Sequence, residues 1–204
     1  MAVSKKFSSC RIREAYGVGL RDFGENYVQE FSAKSKELMD LTGARFHLIG
    51  HLQSNKARVA CELFQVVQTV DSPKLLERLN THAAERAIIL EIFLEVKLSG
   101  EQSKTGAAPE DIPALLDAAR DCPSVHVSGL MTMPPWSEDP ELSRPYFKAL
   151  ARLAEQNGLR ELSMGMSNDL EVAIEEGATT VRVGTALFGK RPKPEEAHSF
   201  DQAI

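Results

Sequence analysis

Apolar residues recur along this chain with two alternating periods. Short runs dense in β-branched or large apolar residues fall at 2–4, 20–23, 45–49, 65–70, 88–96, 125–131, 161–163 and 179–183, and read as strands. The segments between them, at 9–17, 25–40, 54–63, 73–85, 109–121, 138–157 and 168–176, carry apolar positions at helical spacing. Start signals support several of these helices: Asp71-Ser72-Pro73 precedes the fourth, and Pro109-Glu110-Asp111 opens the fifth. Strand–helix repetition predicts parallel strands joined by crossover helices. An open doubly wound sheet satisfies the same pattern, but eight units in about 200 residues match the compact limit of a closed barrel. The expected fold is α/β, a single (β/α)8 TIM barrel over residues 1–191, with residues 192–204 as a flexible C-terminal tail.

Composition narrows the picture without changing it. The apolar fraction of 43% and charged fraction of 26% suit a globular domain. A net charge of -5 argues against nonspecific nucleic-acid binding, which needs clustered cations to displace phosphate counterions. Cys10, Cys61 and Cys122 are far apart and form no C-x-x-C pair, so reduced thiols in a cytoplasmic protein are expected. The opening Met-Ala-Val-Ser-Lys-Lys has no signal-peptide core, and the longest greasy run, 87–98, is broken by Glu91, Glu95 and Lys97; no membrane span is expected.

In such barrels functional groups gather at the C-terminal ends of the strands. Lys5 closes the first strand on the same side as Val3: it is either a solvent lysine at a strand end or an amine at the barrel mouth, where partial desolvation would make it a better nucleophile toward an aldehyde. Ser163-Met-Gly-Met-Ser167-Asn168-Asp169 is a glycine-containing turn before a helix, serving as a plain N-cap or as a phosphate cradle; Gly184-Thr185 on the neighbouring strand end adds a second pair of donors. Arg182 and Gly184 share one face of the last strand by alternation, which places a permanent cation beside bare backbone. His47 and His51 are expected to share a face but lack a third metal ligand nearby. Asn26 follows Gly24-Glu25 near the mouth, and Trp136, after two prolines, reads as a rim residue.

Six stretches, Ala2-Val-Ser-Lys5, Phe23-Gly-Glu-Asn26-Tyr-Val-Gln-Glu30, His47-Leu-Ile-Gly-His-Leu-Gln-Ser-Asn-Lys56, Gly129-Leu-Met-Thr-Met-Pro134, Ser163-Met-Gly-Met-Ser-Asn-Asp169 and Val181-Arg-Val-Gly-Thr-Ala-Leu-Phe-Gly189, resemble the pyridoxal phosphate homeostasis protein family in sequence and order. The resemblance implies a barrel related to the N-terminal domain of alanine racemases, with pyridoxal 5'-phosphate (PLP) held as an imine on Lys5. It further implies phosphate contacts from Ser167, Gly184 and Thr185, a pyridine-nitrogen contact from Arg182, and ring or pocket positions for Asn26, Met131 and Ser163. An arginine there donates to the pyridine nitrogen and keeps it unprotonated, which makes the ring a poorer electron sink. The family carries a long helix ahead of the Ala-Val-Ser-Lys strand; this sequence starts at the strand.

The expectation is therefore a non-catalytic, monomeric, cytoplasmic PLP carrier that buffers the cofactor and supplies apo PLP-dependent enzymes. Two alternatives stand beside it: a PLP-dependent amino-acid racemase, which would need a second acid/base group on the far face of the ring, and a regulatory protein with a vestigial pocket.

Overall fold

The computed structural model describes residues 1–99 and 105–190. Its elements alternate: β1 (Ala2–Val3), α1 (Ser9–Gly17), β2 (Asp22–Glu25), α2 (Val28–Ser35), β3 (Arg45–Leu48), α3 (Ala57–Leu63), β4 (Val66–Val70), α4 (Pro73–Glu85), β5 (Leu90–Glu95), α5 (Ile112–Arg120), β6 (Val125–Met131), α6 (Arg144–Gln156), β7 (Glu161–Met166), α7 (Leu170–Glu175), β8 (Thr180–Arg182) and α8 (Thr185–Phe188). Neighbouring strands pair in parallel in chain order. Val3 N–H donates to Val183 O (2.8 Å) and Val183 N–H to Met1 O (3.0 Å), which closes the sheet into the expected (β/α)8 barrel. The first element is β1. The expected tail at 192–204 lies outside the described residues. Among the described residues, no helix is long and apolar enough to cross a membrane.

Boundaries depart from the sequence reading where tertiary demands override period. The helix expected from residue 25 starts at Val28, because Glu25 completes β2 opposite Leu48. Strand β7 runs three residues past the expected 161–163. Gly165 makes this possible: its φ is +88°, and a Cβ there would lie 2.4 Å from the Cβ of Ala173 on α7. The single turn α8 is too short to show any period, and the sequence reading has no counterpart for it.

Strand alternation sorts side chains into two compartments. Phe23, Leu48, Val67, Ile92, Leu94, Leu130 and Leu162 face the helices in one continuous core. Their neighbours face the lumen, where Val66, Phe93 and Met131 form a small separate apolar cluster. Polar residues share the lumen with them: His47, Gln68, Glu95, Ser163 and Arg182 are all buried.

Candidate functional site

The amine-bearing loop comes first. Phe7 N–H donates to Ser4 O (3.1 Å), so residues 4–7 form a turn with Lys5 and Lys6 at its centre. Lys6 has φ +64°, a left-handed conformation that costs an L-residue about 1–2 kcal/mol. Long-range contacts hold it: Lys6 N–H donates to Glu30 Oε1 (2.6 Å), and buried Lys34 Nζ donates to Ser4 O (3.2 Å), Phe7 O (3.0 Å) and Glu30 Oε1 (3.0 Å). Lys34 also pairs with Glu25 Oε1 at 2.8 Å, and that carboxylate accepts from Ser4 Oγ at 2.7 Å. Glu25 is fully buried, and desolvation outweighs Lys34, so its pKa lies above the ordinary value.

At the other end of the chain, Arg182 is fixed in the lumen. Its guanidinium donates to Ser163 Oγ (2.9 Å) and Thr132 O (2.8 Å). Ser163 Oγ–H donates to Gln68 Oε1 (2.7 Å), Gln68 Nε2 lies 3.2 Å from His47 Nδ1, and His47 Nε2 lies 2.9 Å from Asp22 Oδ1. These contacts run as one chain from the guanidinium through hydroxyl, amide and imidazole to a carboxylate, so each bond polarises the next. His47 holds the Asp22 carboxyl below its usual range. Burial pulls the Arg182 pKa to about 10 against support from Asp169 and Glu95, which leaves it a cation at neutral pH. Both nitrogens of His47 are engaged in this chain, whereas His51 lies beyond β3 and is exposed, so the expected shared face does not exist.

Lys5 and Arg182 line one cavity of about 430 Å³ at the C-terminal mouth. Asn26, Ser167, Gly184 and Thr185 line it too, together with rim residues Met133 and Trp136. Met131 and Ser163 do not: Met131 packs under the cavity with Val66 and Phe93, and Ser163 stands behind Arg182. Gly50 sets Asn26 in place, since a Cβ at Gly50 would fall 2.2 Å from Asn26 O. Asn26 lines the cavity, but its Oδ1 is buried away from that space and has no hydrogen-bond partner among the described residues. Opposite, Asp169 Oδ1 accepts from Met166 N–H (2.7 Å) and shapes the turn that carries Ser167. A Cβ at Gly184 would approach only Val3, no closer than 3.5 Å, so the glycine leaves that side of the cavity open. A cation, an amine and small hydroxyl residues around one cavity suit an anionic aldehyde.

Sequence reasoning missed Lys34, Gln68 and Glu95. Gln68 sits inside Val66–Val70, a strand buried at every position, and Glu95 inside the greasy run 87–98. A polar residue interrupting an apolar strand is the signal that could have found both. Lys34 reads only as the i,i+4 partner of Glu30.

Comparison with known proteins finds relatives over almost the whole chain. The family described as "Alanine racemase, N-terminal domain" matches residues 1–192. The pyridoxal phosphate homeostasis protein of Pseudomonas aeruginosa is 48% identical, with 94% of this chain and 84% of that protein covered. The protein of the same name from Aquifex aeolicus is 43% identical over 88% of this chain and 81% of its own length. Among solved structures, PipY of Synechococcus elongatus superposes with TM-scores of 0.86 without PLP and 0.85 with PLP bound. Identity to these is 44% and 43%, and 92–93% of this chain and 91% of theirs are covered. An alanine racemase of Clostridium difficile shares the fold at TM-score 0.72 and 11% identity; 95% of this chain covers 52% of it.

Proposed function

The chain belongs to the pyridoxal phosphate homeostasis protein family, on the fold of the alanine racemase N-terminal domain, and from that premise we propose that it binds and releases PLP as an intracellular carrier and buffer. Lys5 Nζ would condense with the aldehyde of the cofactor, the carbonyl oxygen leaving as water, while Arg182 would donate to the pyridine nitrogen and Ser167, Gly184 and Thr185 would take the phosphate. Asn26 stands beside the ring. Met131 and Ser163 act from beneath, the first by packing and the second by holding Arg182. The observation that carries this reading is the convergence of Lys5 and Arg182, from the first and last strands, on one cavity. PLP supplies a reactive aldehyde and an electron sink; the arginine at its nitrogen weakens the sink, which supports holding over turnover. Recipients are apo PLP-dependent enzymes, and the carrier acts as a cytoplasmic monomer.

Titration with PLP, followed by the imine absorption band, tests the proposal. The native protein develops the band with saturation near one equivalent. Lys5→Ala loses the band yet retains weaker, noncovalent binding through the phosphate donors. An unchanged band in Lys5→Ala overturns the assignment, and sustained racemisation of alanine by the loaded protein overturns the carrier role.

A further inference from the structure

The turn at residues 4–7 carries Lys5 into the cavity, yet it is held from behind, by two side chains of one helix. Glu30 and Lys34 stand one helical turn apart on α2, and among the described residues neither lines the cavity. Between them they grip three backbone atoms of the turn. Glu30 Oε1 accepts from Lys6 N–H (2.6 Å), and Lys34 Nζ donates to Ser4 O (3.2 Å) and Phe7 O (3.0 Å). Lys34 and Glu30 also bond each other at 3.0 Å, so they act as a unit. Two further anchors fix the ends of the turn: Ser4 N–H donates to Gly24 O (2.9 Å), and the Phe7 ring packs on Phe188 of α8, with centroids 5.0 Å apart. A lysine serving only to offset Glu25 would need no backbone partners, whereas Lys34 reaches the carbonyls at both ends of the turn. Lys6, between them, is left-handed at φ +64°, a conformation that an unrestrained L-residue seldom adopts.

We propose that Glu30 and Lys34 are positioning residues for the imine: without touching the cofactor, they hold residues 4–7 in the conformation that delivers Lys5 Nζ to the aldehyde. The proposal rests on the PLP reading and deepens it. Imine formation needs the neutral amine within roughly 3–3.5 Å of the carbon it attacks; the C=N bond replaces C=O, and the carbonyl oxygen leaves as water with both amine protons. A turn released from α2 spreads over other conformations. Both the rate of condensation and the covalent affinity then fall with the fraction of molecules whose turn is still correctly set. The phosphate positions Ser167, Gly184 and Thr185 follow β7 and β8 instead, so noncovalent binding does not fall with them.

Three variants separate positioning from general support of the fold: Glu30→Leu, Lys34→Met and the conservative Glu30→Gln, whose amide oxygen still accepts from Lys6 N–H. Each is mixed with PLP to follow the imine band, and with pyridoxine 5'-phosphate, which has an alcohol in place of the aldehyde. Glu30→Leu and Lys34→Met slow the band at least about tenfold and weaken PLP accordingly, while pyridoxine 5'-phosphate binds within about twofold of its native affinity. Glu30→Gln recovers most of the native rate. Hydrogen exchange of the PLP-free proteins gives a second readout: the Lys6 and Phe7 amides lose protection in Glu30→Leu and Lys34→Met and keep most of it in Glu30→Gln. A native imine rate in folded Glu30→Leu, unchanged exchange at both amides, or equal losses of PLP and pyridoxine 5'-phosphate overturns the proposal. Where Lys34→Met does not fold, Glu30→Leu decides, because its side chain is 28% exposed and closes no buried gap. Absence of the imine from native protein removes the PLP reading and this proposal together, whereas a native rate in the variants removes this proposal alone.

Discussion

Replacing Lys34 by Met leaves the volume nearly intact and removes one buried charge. Lys34 Nζ serves four acceptors: Glu25 Oε1, Glu30 Oε1, Ser4 O and Phe7 O. Of these, Glu25 matters most, because it is fully buried and its other oxygen, Oε2, has no partner among the described residues. Without Lys34 the carboxylate keeps only the Ser4 hydroxyl. Breaking one side of a buried ion pair costs about 3–5 kcal/mol, a large part of the roughly 5–15 kcal/mol that holds a typical domain together. Most of that cost is the stranded charge, so adding Glu25→Gln to Lys34→Met should recover at least about 2 kcal/mol. Protonation should do the same: the Glu25 pKa, already raised by burial, rises further without Lys34. The neutral acid is then favoured in the fold, so the deficit is full near neutral pH and shrinks on acidification. Urea unfolding of native, single and double variants without PLP, at neutral and mildly acid pH, measures each quantity. A loss below about 1 kcal/mol, or a double variant less stable than Lys34→Met, would refute the reasoning.

Glu95→Gln should flatten the pH profile of stability. The native carboxyl has a pKa raised to about 7, so its contribution is fully present below its ordinary value and disappears as pH rises through 7; chemical unfolding across this window should show native protein losing up to about 3 kcal/mol that the variant keeps. Gln68→Leu strands the Ser163 hydroxyl and His47 Nδ1, which should cost about 2–4 kcal/mol in unfolding experiments and weaken PLP retention by loosening Arg182. Lys6→Gly relieves the left-handed strain beside Lys5 and should raise stability by up to about 1 kcal/mol by thermal melting, with the absorption band of bound PLP unchanged.

The barrel was legible because its signal is periodic: each strand–helix unit repeats it, and the site lies where such folds collect function. Arg182 stood out because a cation beside a glycine, inside a β-branched strand, has no packing explanation. The hydrogen-bonded chain from Arg182 to Asp22 was not legible, since it joins β8, β7, β4, β3 and β2 across the lumen and no local pattern links residues that far apart. Lys34 was hidden differently, because its spacing from Glu30 looks like an ordinary surface pair until the turn at residues 4–7 is laid over it. Met131 showed its limit in the opposite sense: it adjoins the strand end, yet it faces Val66 and Phe93 beneath the cavity.

Reduction of the PLP-treated protein with borohydride, followed by peptide mapping, tests the central claim most directly. The account predicts one stable phosphopyridoxyl group, on the peptide carrying Lys5, and its loss when Lys5 is replaced by Ala. A label on another lysine, or none at all, would contradict it.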